Sequence, residues 1–175
     1  MGDLVVRIGI STCLLGEEVR HDGSHKRDPY LVETLGRMVE WVSVCPEVDI
    51  GLGTPREPIR LVRDSKELDS TRLVSRSGVE LSKRMRRYAR SRTRELSKEN
   101  LSGYIVKKDS PSCGMERVKV WSDPAKGMSQ RSGRGIFAAE LLGEYRNLPV
   151  EEEGRLHDPV IRENFFERVF AYRSI

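Results

Sequence analysis

The chain has 175 residues, 37% of them hydrophobic, which is typical of one globular domain with a substantial core. Charged residues make up 33% of the sequence, and 31 Lys and Arg against 27 Asp and Glu leave a net charge of +4. This excess is compatible with an anionic partner without requiring one, whereas an aromatic content of only 6% argues against the base-stacking surfaces of single-strand-binding proteins.

The N-terminal segment and the cysteine content indicate the cellular compartment. Residues 1–10 lack the basic start and apolar centre of a signal peptide, and no segment approaches the ~20 apolar residues of a membrane-spanning helix. We therefore expect a soluble, cytoplasmic protein with no membrane contact. Three cysteines, an odd number without an export signal, indicate free thiols rather than disulfides. Three buried cysteines without a special role are the simpler alternative.

Three apolar segments are predicted to be buried strands, and each leads to a cysteine. In chain order they are residues 4–10 with Cys13, residues 41–44 with Cys45, and residues 103–106 with Cys113. Continuous apolar runs of this length are typical of strands that are covered on both faces. The sequence therefore predicts that all three cysteines follow the carboxyl ends of buried strands.

Helices are predicted between and after these strands, because apolar residues recur there at helical spacing. They are expected at residues 29–39, 79–98, 135–145 and 159–172. The first and last begin with Asp-Pro, an N-cap followed by proline at the first helical position. One buried face of the last helix is expected to contain Val160, Ile161, Phe165, Val169 and Phe170. The remaining expectations are a hairpin of residues 59–62 and 71–75, a short strand at 118–121, a polar loop at 122–132 and a last strand near 148–150.

The alternation of strands and helices predicts the fold class. Parallel strands need crossover connections, and the crossover helices cover the faces of the sheet. We therefore expect residues 1–175 to form a single α/β domain with a mainly parallel sheet flanked by helices, a Rossmann-like three-layer arrangement. Ligands of such sheets bind beyond the carboxyl ends of the strands. The three cysteines can thus meet at one centre, although their spacings match no local metal-binding motif.

Three convergent thiols suit a catalytic metal better than a structural one. A structural zinc site uses four protein ligands, whereas a catalytic centre keeps one position open for the substrate. Soft thiolates bind an iron–sulfur cluster or zinc in preference to hard cations. The residues alone are compatible with both, and zinc would take His21, His25 or His157 as its fourth ligand.

Five sequence motifs occur in a fixed order along the chain. They are ISTCLLG at residues 10–16, VRHDG at 19–23, VCPEV at 44–48, GLGTPR at 51–56 and SPSCG at 110–114. Together they resemble the thiouracil desulfidase family, also known as domain of unknown function 523, and the resemblance extends from about residue 6 to residue 172. It implies a 4Fe-4S cluster on Cys13, Cys45 and Cys113, with one iron free to take up the sulfur of a thiolated uracil. It also implies that Glu47 and a serine of residues 110–112 take part in catalysis.

The resemblance also concerns the substrate. Family members with an additional C-terminal domain are associated with thiolated nucleosides of transfer RNA, and single-domain members are associated with the free base. Residues 155–175 resemble the segment that precedes this domain in longer members. The resemblance therefore implies an enzyme for a small thiopyrimidine, with 4-thiouridine in transfer RNA as the alternative substrate. A non-catalytic, metal-containing RNA-binding protein is a third hypothesis, and the sequence specifies no oligomeric state.

The candidate catalytic residues each have a functional and a structural interpretation. Glu47 lies two residues after Cys45 and could transfer protons, or it could be a surface carboxylate paired with Arg56. Ser110 and Ser112 could hydrogen-bond the pyrimidine or the attacking water. Alternatively, the two serines could stabilise a turn.

The candidate substrate-binding residues lie in two loops. His21, Asp22 and His25 could line the substrate entrance or belong to a solvated loop. Arg56 could anchor a substrate carbonyl or form a structural salt bridge. The cations of the helix at residues 79–98 could contact RNA phosphates or present a solvated face.

Overall fold

The computed structural model describes residues 5–63 and 71–173. The strands in these ranges are β1 (Arg7–Ser11), β2 (Glu40–Val44), β3 (Ile59–Val62), β4 (Arg72–Ser75), β5 (Gly103–Val106), β6 (Val118–Trp121), β7 (Ser129–Gly133) and β8 (Val150–Glu152). The α-helices are α1 (Pro46–Asp49), α2 (Ser82–Leu96), α3 (Ile136–Glu144) and α4 (Pro159–Arg173). Shorter helical turns occupy Thr12–Leu15, Tyr30–Thr34, Leu35–Arg37, Ser97–Glu99 and Arg155–His157.

Four of the strands form an all-parallel sheet in the order β2-β1-β5-β8. Ile8 of β1 is paired with Trp41 of β2 on one side and with Gly103 of β5 on the other. The β8 strand follows at the edge of the sheet, parallel to β5. The predicted α/β class with a mainly parallel sheet is thereby confirmed. The predicted start of the first strand at Leu4 lies outside the described residues.

Helices cover both faces of this sheet, because successive side chains of a strand point to opposite faces. On one face the buried residues include Ile8, Ile10, Ile105 and, from α4, Phe165 and Val169. On the other face they include Val44, Tyr104, Val106 and, from α2 and α3, Ala89, Leu96, Phe137 and Leu141. Gly9 is required on this second face, since a Cβ at residue 9 would lie 2.2 Å from the ring of Tyr104.

A second, mixed sheet has the order β4-β3-β6-β7. The predicted hairpin is confirmed as the antiparallel pair β3 and β4, although residues 64–70 between them lie outside the described part of the chain. The predicted polar loop at residues 122–132 is partly wrong, because β7 begins at Ser129 and pairs antiparallel with β6. β7 is an edge strand whose side chains are mostly exposed, so its sequence, SQRSG, shows no alternation of apolar and polar residues. Only its pairing with β6 identifies it as a strand.

The buried face of α4 is narrower than predicted. Phe165 and Val169 lie one turn apart and are buried, but Val160 is 76% exposed and Phe170 is 51% exposed. Including Val160 and Phe170 in the buried face was wrong, because each residue turns about 100° around a helix axis and Phe170 therefore points away from its neighbour Val169. Within residues 5–63 and 71–173, no helix is long and apolar enough to cross a membrane.

Candidate metal centre

The three cysteines line one cavity of about 450 Å³ beyond the carboxyl ends of the parallel strands. Cys13 lies in the helical turn that directly follows β1, and Cys45 follows β2. Because β1 and β2 are neighbours in the sheet, these two thiols lie at adjacent strand ends. Cys113 is not at a strand end; it lies in the long loop between β5 and β6, which returns toward the edge of the sheet. The structure thus brings together the three cysteines that the sequence singled out.

The thiols reach the cavity from three separate segments of the chain. Among the described residues, no group of three or more His, Cys, Asp or Glu side chains is arranged to hold one metal ion. A cuboidal cluster is wider than an ion, and its cysteines bind different iron atoms. Three thiols that line one cavity from separate segments are compatible with such a cluster.

Two of the three histidines lie away from these thiols. His21 lines the cavity, whereas His25 and His157 do not. His25 Nδ1 accepts the backbone N–H of Arg27 at 3.0 Å, and His157 Nε2 lies 3.2 Å from Asp28 Oδ2. Two of the three candidate fourth ligands for zinc, His25 and His157, therefore have hydrogen-bond partners outside the cavity.

Burial keeps the three thiols protonated in the metal-free protein. It raises the pKa of Cys13 to about 11, against the attraction of Lys107, and it raises the pKa of Cys113 to about 12, against hydrogen bonds from Ser11 and Ser112. The pKa of Cys45 is also raised, mainly by burial. Binding of a soft metal therefore has to displace protons from all three sulfurs.

Glu47 is fixed in the same cavity by contacts to both carboxylate oxygens. The guanidinium of Arg56 donates to Glu47 Oε1 from Nη2 at 3.1 Å and from Nε at 3.3 Å. The hydroxyl of Ser112 donates to Glu47 Oε2 at 3.0 Å. The side chains of Arg56 and Glu47 are only 6% and 16% exposed, so the pair lies in the cavity and not at the protein surface. Glu47 lies in the first turn of α1, which has Cys45 at its N-cap position and begins at Pro46.

The serines belong to a tight loop against the start of α3. Ser110 Oγ accepts the backbone N–H groups of Ser112 at 3.3 Å and Cys113 at 3.0 Å, and it lies 3.1 Å from Ser112 Oγ. The loop carbonyl of Ser112 in turn accepts the N–H of Ala138 at 3.1 Å. The two serines therefore stabilise a turn, and they also line the cavity.

Gly135 allows this loop to approach α3. A Cβ at residue 135 would lie 2.4 Å from the carbonyl carbon and oxygen of Ser112. We expect Gly135→Ala to lower the free energy of unfolding by roughly 1–3 kcal/mol, the range for overpacking, and to lower cluster content, because the loop that carries Cys113 has to move. Denaturant unfolding and iron analysis measure both effects.

Gly143→Ala is the matched control on the same helix. A Cβ at residue 143 meets nothing within 4 Å, and alanine favours a helix over glycine by about 0.5–1 kcal/mol. This variant should therefore be slightly stabilised. If both variants had the same stability and the same cluster content, the close approach at Gly135 could not be the cause of the loss.

The sequence interpretation missed a charged pair beside the thiols. Lys107 lines the cavity, and its Nζ lies 3.2 Å from Glu153 Oε1, with side chains 17% and 8% exposed. Glu153 also accepts the backbone N–H of Lys108 at 2.8 Å. The sequence did contain a signal for this pair. Glu151, Glu152 and Glu153 follow a predicted buried strand, and a buried carboxylate usually has a charged partner.

The polar loop after Cys13 divides into residues inside and outside the cavity. His21 lines the cavity, and its carbonyl accepts the N–H of Arg56 at 2.7 Å. Asp22 is exposed and accepts the backbone N–H of Ser24 at 2.9 Å. Hydrogen bonds from the Ser24 hydroxyl and backbone lower the pKa of Asp22 to about 2. Asp22 and His25 therefore shape or flank the loop, while His21 and Arg56 face the site.

An α/β fold with three partly or fully buried thiols and an oriented carboxylate in one cavity is the arrangement expected of an enzyme with a thiolate-bound metal cofactor. The model of the family 2-thiouracil desulfurase matches residues 8–153. The chain therefore belongs to the 2-thiouracil desulfurase family, which confirms the resemblance carried by the five motifs.

Two similar proteins support this assignment. The chain is 36% identical over 157 residues to a Bacillus subtilis (strain 168) protein named "Uncharacterized protein YbbK", which covers 85% of this chain and 97% of YbbK. The structure of the present chain is similar to that of the 4Fe-4S-dependent thiouracil desulfidase TudS, with a TM-score of 0.69 and 28% sequence identity. That match covers 91% of this chain and 98% of the TudS chain.

Proposed function

We propose that this protein is a 4Fe-4S-dependent desulfidase that replaces the sulfur of a thiolated pyrimidine with oxygen. Membership of the 2-thiouracil desulfurase family supports the reaction class, and the similarity to TudS supports the cofactor. The single observation that carries the proposal is the cavity that three cysteines from separate segments share with Glu47. In the net reaction the carbon exchanges a bond to sulfur for a bond to oxygen, water supplies the oxygen and hydrogen sulfide leaves. Carbon is neither oxidised nor reduced, so no electron donor is required.

Cys13, Cys45 and Cys113 are the proposed ligands of the cluster. When bound, the cluster supplies a soft Lewis acid for the thiocarbonyl sulfur at the iron that has no protein ligand. Lys107 lies on the same cavity wall and attracts a thiolate at Cys13. Glu153 holds Lys107 in place, and at Cys13 the attraction of the Lys107 charge exceeds the opposing effect of the Glu153 carboxylate.

Glu47 is the proposed general base. A carboxylate held by Arg56 and Ser112 has a defined orientation, which proton transfer from an attacking water requires. The hydroxyl of Ser110 accepts two backbone N–H groups, so its own proton can be donated to the pyrimidine or to Ser112. His21 and Arg56 are the proposed substrate-side residues, since both line the cavity.

The proposed substrate is the free base. A cavity of about 450 Å³ lies within the range of small-molecule sites. Thiolated transfer RNA is the alternative substrate, and turnover of free 2-thiouracil and of thiolated transfer RNA under the same conditions decides between them. We also propose a cytoplasmic location, because the cysteines are free and a reducing compartment preserves thiols.

Anaerobic purification followed by iron, sulfide and zinc analysis tests the cofactor. A cluster of this type requires about four irons and about four acid-labile sulfides per chain, together with conversion of 2-thiouracil to uracil. Stoichiometric zinc without acid-labile sulfide would contradict the proposal, and so would a loaded cluster with no turnover of any thiopyrimidine.

The role of Lys107 is tested by the reduction potential of the bound cluster. We expect Lys107→Met to make the potential more negative by roughly 30–60 mV, because a nearby cation stabilises the reduced form by about 1 kcal/mol. A spectroelectrochemical titration measures the shift.

Lys126→Met provides the control for this experiment. Lys126 is exposed and does not line the cavity, and its backbone N–H contact to Asp123 is retained by the substitution. The control should leave the potential unchanged. The same shift in both variants would show a general charge effect and would exclude a local role of Lys107.

A further inference from the structure

The helix α2 concentrates positive charge that the proposed reaction does not use. Its sequence, SKRMRRYARSRTREL, contains seven Lys or Arg residues and one Glu, a net charge of +6. The whole chain has a net charge of only +4, so all other residues together carry −2. Such asymmetry within one element is typical of a surface that meets a polyanion.

The cations lie on the solvent side of the helix. The inner side is formed by the buried residues Ser82, Met85, Ala89, Thr93 and Leu96. The outer side presents a groove of about 770 Å³ lined by Lys83, Arg86, Arg87, Arg90, Ser91, Arg94, Glu95 and Lys98. Among the described residues, the ion pairs of α2 are confined to Arg92 and Glu95, 3.2 Å apart, and Arg86 donates to the backbone carbonyl of Thr71 at 3.0 Å. Most of these cations thus have no internal partner.

This arrangement is unfavourable for the helix itself. Lys83 and Arg87, and likewise Arg90 and Arg94, are like charges four residues apart, which repel each other on a helix surface. The first turn contains no acidic residue, although negative charge is favoured there by the helix dipole. A surface that departs from local stability rules in this way is expected to have a functional reason.

We propose that the outer face of α2 binds the phosphodiester backbone of a nucleic acid. From Lys83 to Lys98 the cations extend over about 22 Å at 1.5 Å per residue, a length over which one strand carries about six phosphates. Arginine is the main cation, and its planar guanidinium matches phosphate oxygens in a bidentate way. This binding concerns a partner and goes beyond the proposed function, since no α2 residue lines the cysteine cavity.

An anionic membrane fits this face less well. A helix that lies on a bilayer inserts large apolar side chains beneath its basic face. The exposed large hydrophobic residues described in this chain are Val5, Met38, Val79, Met128, Val160 and Phe170, and none of them belongs to α2. The face therefore offers charge without an apolar anchor.

Fluorescence anisotropy with a labelled single-stranded RNA tests the proposal through its salt dependence. The combined variant Arg87→Gln, Arg90→Gln and Arg94→Gln should bind roughly 10- to 100-fold more weakly at low salt. It should reduce the slope of log K against log salt by about 2, since each phosphate contact on a single strand contributes about 0.7. The variant should convert 2-thiouracil at the wild-type rate, so failure here is distinguishable from failure of the desulfidase proposal.

The matched control removes the same charge from other surfaces. Arg37, Arg76 and Lys126 are exposed and lie outside α2, and their combined change to Gln should leave affinity and slope nearly unchanged. Circular dichroism checks that both variants fold; if the triple variant does not, Arg90→Gln alone should reduce the slope by about 0.7. The proposal is overturned by absence of RNA binding at low salt, by equal losses in variant and control, or by α2-dependent binding to anionic vesicles in place of RNA.

Discussion

Replacement of any one of Cys13, Cys45 or Cys113 by serine is expected to reduce cluster content by at least about tenfold. A hydroxyl is a poor ligand for soft iron, and two remaining thiolates cannot hold a cuboidal cluster at three corners. Serine is close to cysteine in size, so packing around these partly or fully buried positions should persist and the metal-free proteins should remain folded. Iron and acid-labile sulfide, measured after anaerobic purification, report the loss, and turnover should fall in parallel.

His21→Gln is the informative control for this experiment. His21 is the one of the three histidines in the sequence that lines the cavity, so a zinc site of three cysteines and one histidine would use it as the fourth ligand. With a cluster, the His21 variant should keep its iron and lose at most substrate affinity. A cysteine whose replacement leaves both iron and activity intact is not a ligand.

Glu47→Gln is expected to lower turnover by roughly 10²–10⁴, the range for positioned proton transfer. Glutamine keeps the size of the side chain, and its carbonyl and amide can still meet Arg56 and Ser112, but it cannot accept the proton of an attacking water. The cluster should therefore form with normal absorbance. The KM should change far less than kcat, because an interaction made only in the transition state has been removed.

Asp49→Asn is the matched control for Glu47. It removes the same charge from the same short helix, but Asp49 is exposed, contacts the hydroxyl of Tyr88 and does not line the cavity. Its turnover should stay near the wild-type value. Loss of the cluster in Glu47→Gln would instead identify a structural role for Glu47, and unchanged turnover would assign proton transfer to another group, with Ser110→Ala the next variant to measure.

Several parts of the site were predictable because they depend on local patterns. Continuous apolar runs located β1, β2 and β5, and the carboxyl ends of parallel strands share one edge of a sheet. The convergence of the cysteines on one cavity follows from that rule and from short connections after β1 and β2. Cys113 reaches the same cavity by a different route, because its loop is held against the start of α3 through Gly135.

Other parts depend on residues far apart in the chain and have no local signature. The contact of Ser112 with Glu47 joins residues 65 positions apart, and that of Lys107 with Glu153 joins residues 46 positions apart. Burial of a carboxylate requires a partner, but the sequence does not state which one. The same limit explains β7, whose polar sequence becomes a strand only by pairing with β6.

The amino-acid sequence by itself determined the α/β class, the family and the three cysteines, because strand and helix periodicity and contiguous motifs are properties of neighbouring residues. Tertiary structure decided which carboxylates are held in place, which histidine faces the cavity and which side of α4 is buried. It also decided that the cations of α2 have few internal partners, since the presence of a partner depends on what packs nearby. Those contacts arise from packing between distant segments, and in this protein the geometry of the cavity depends on them.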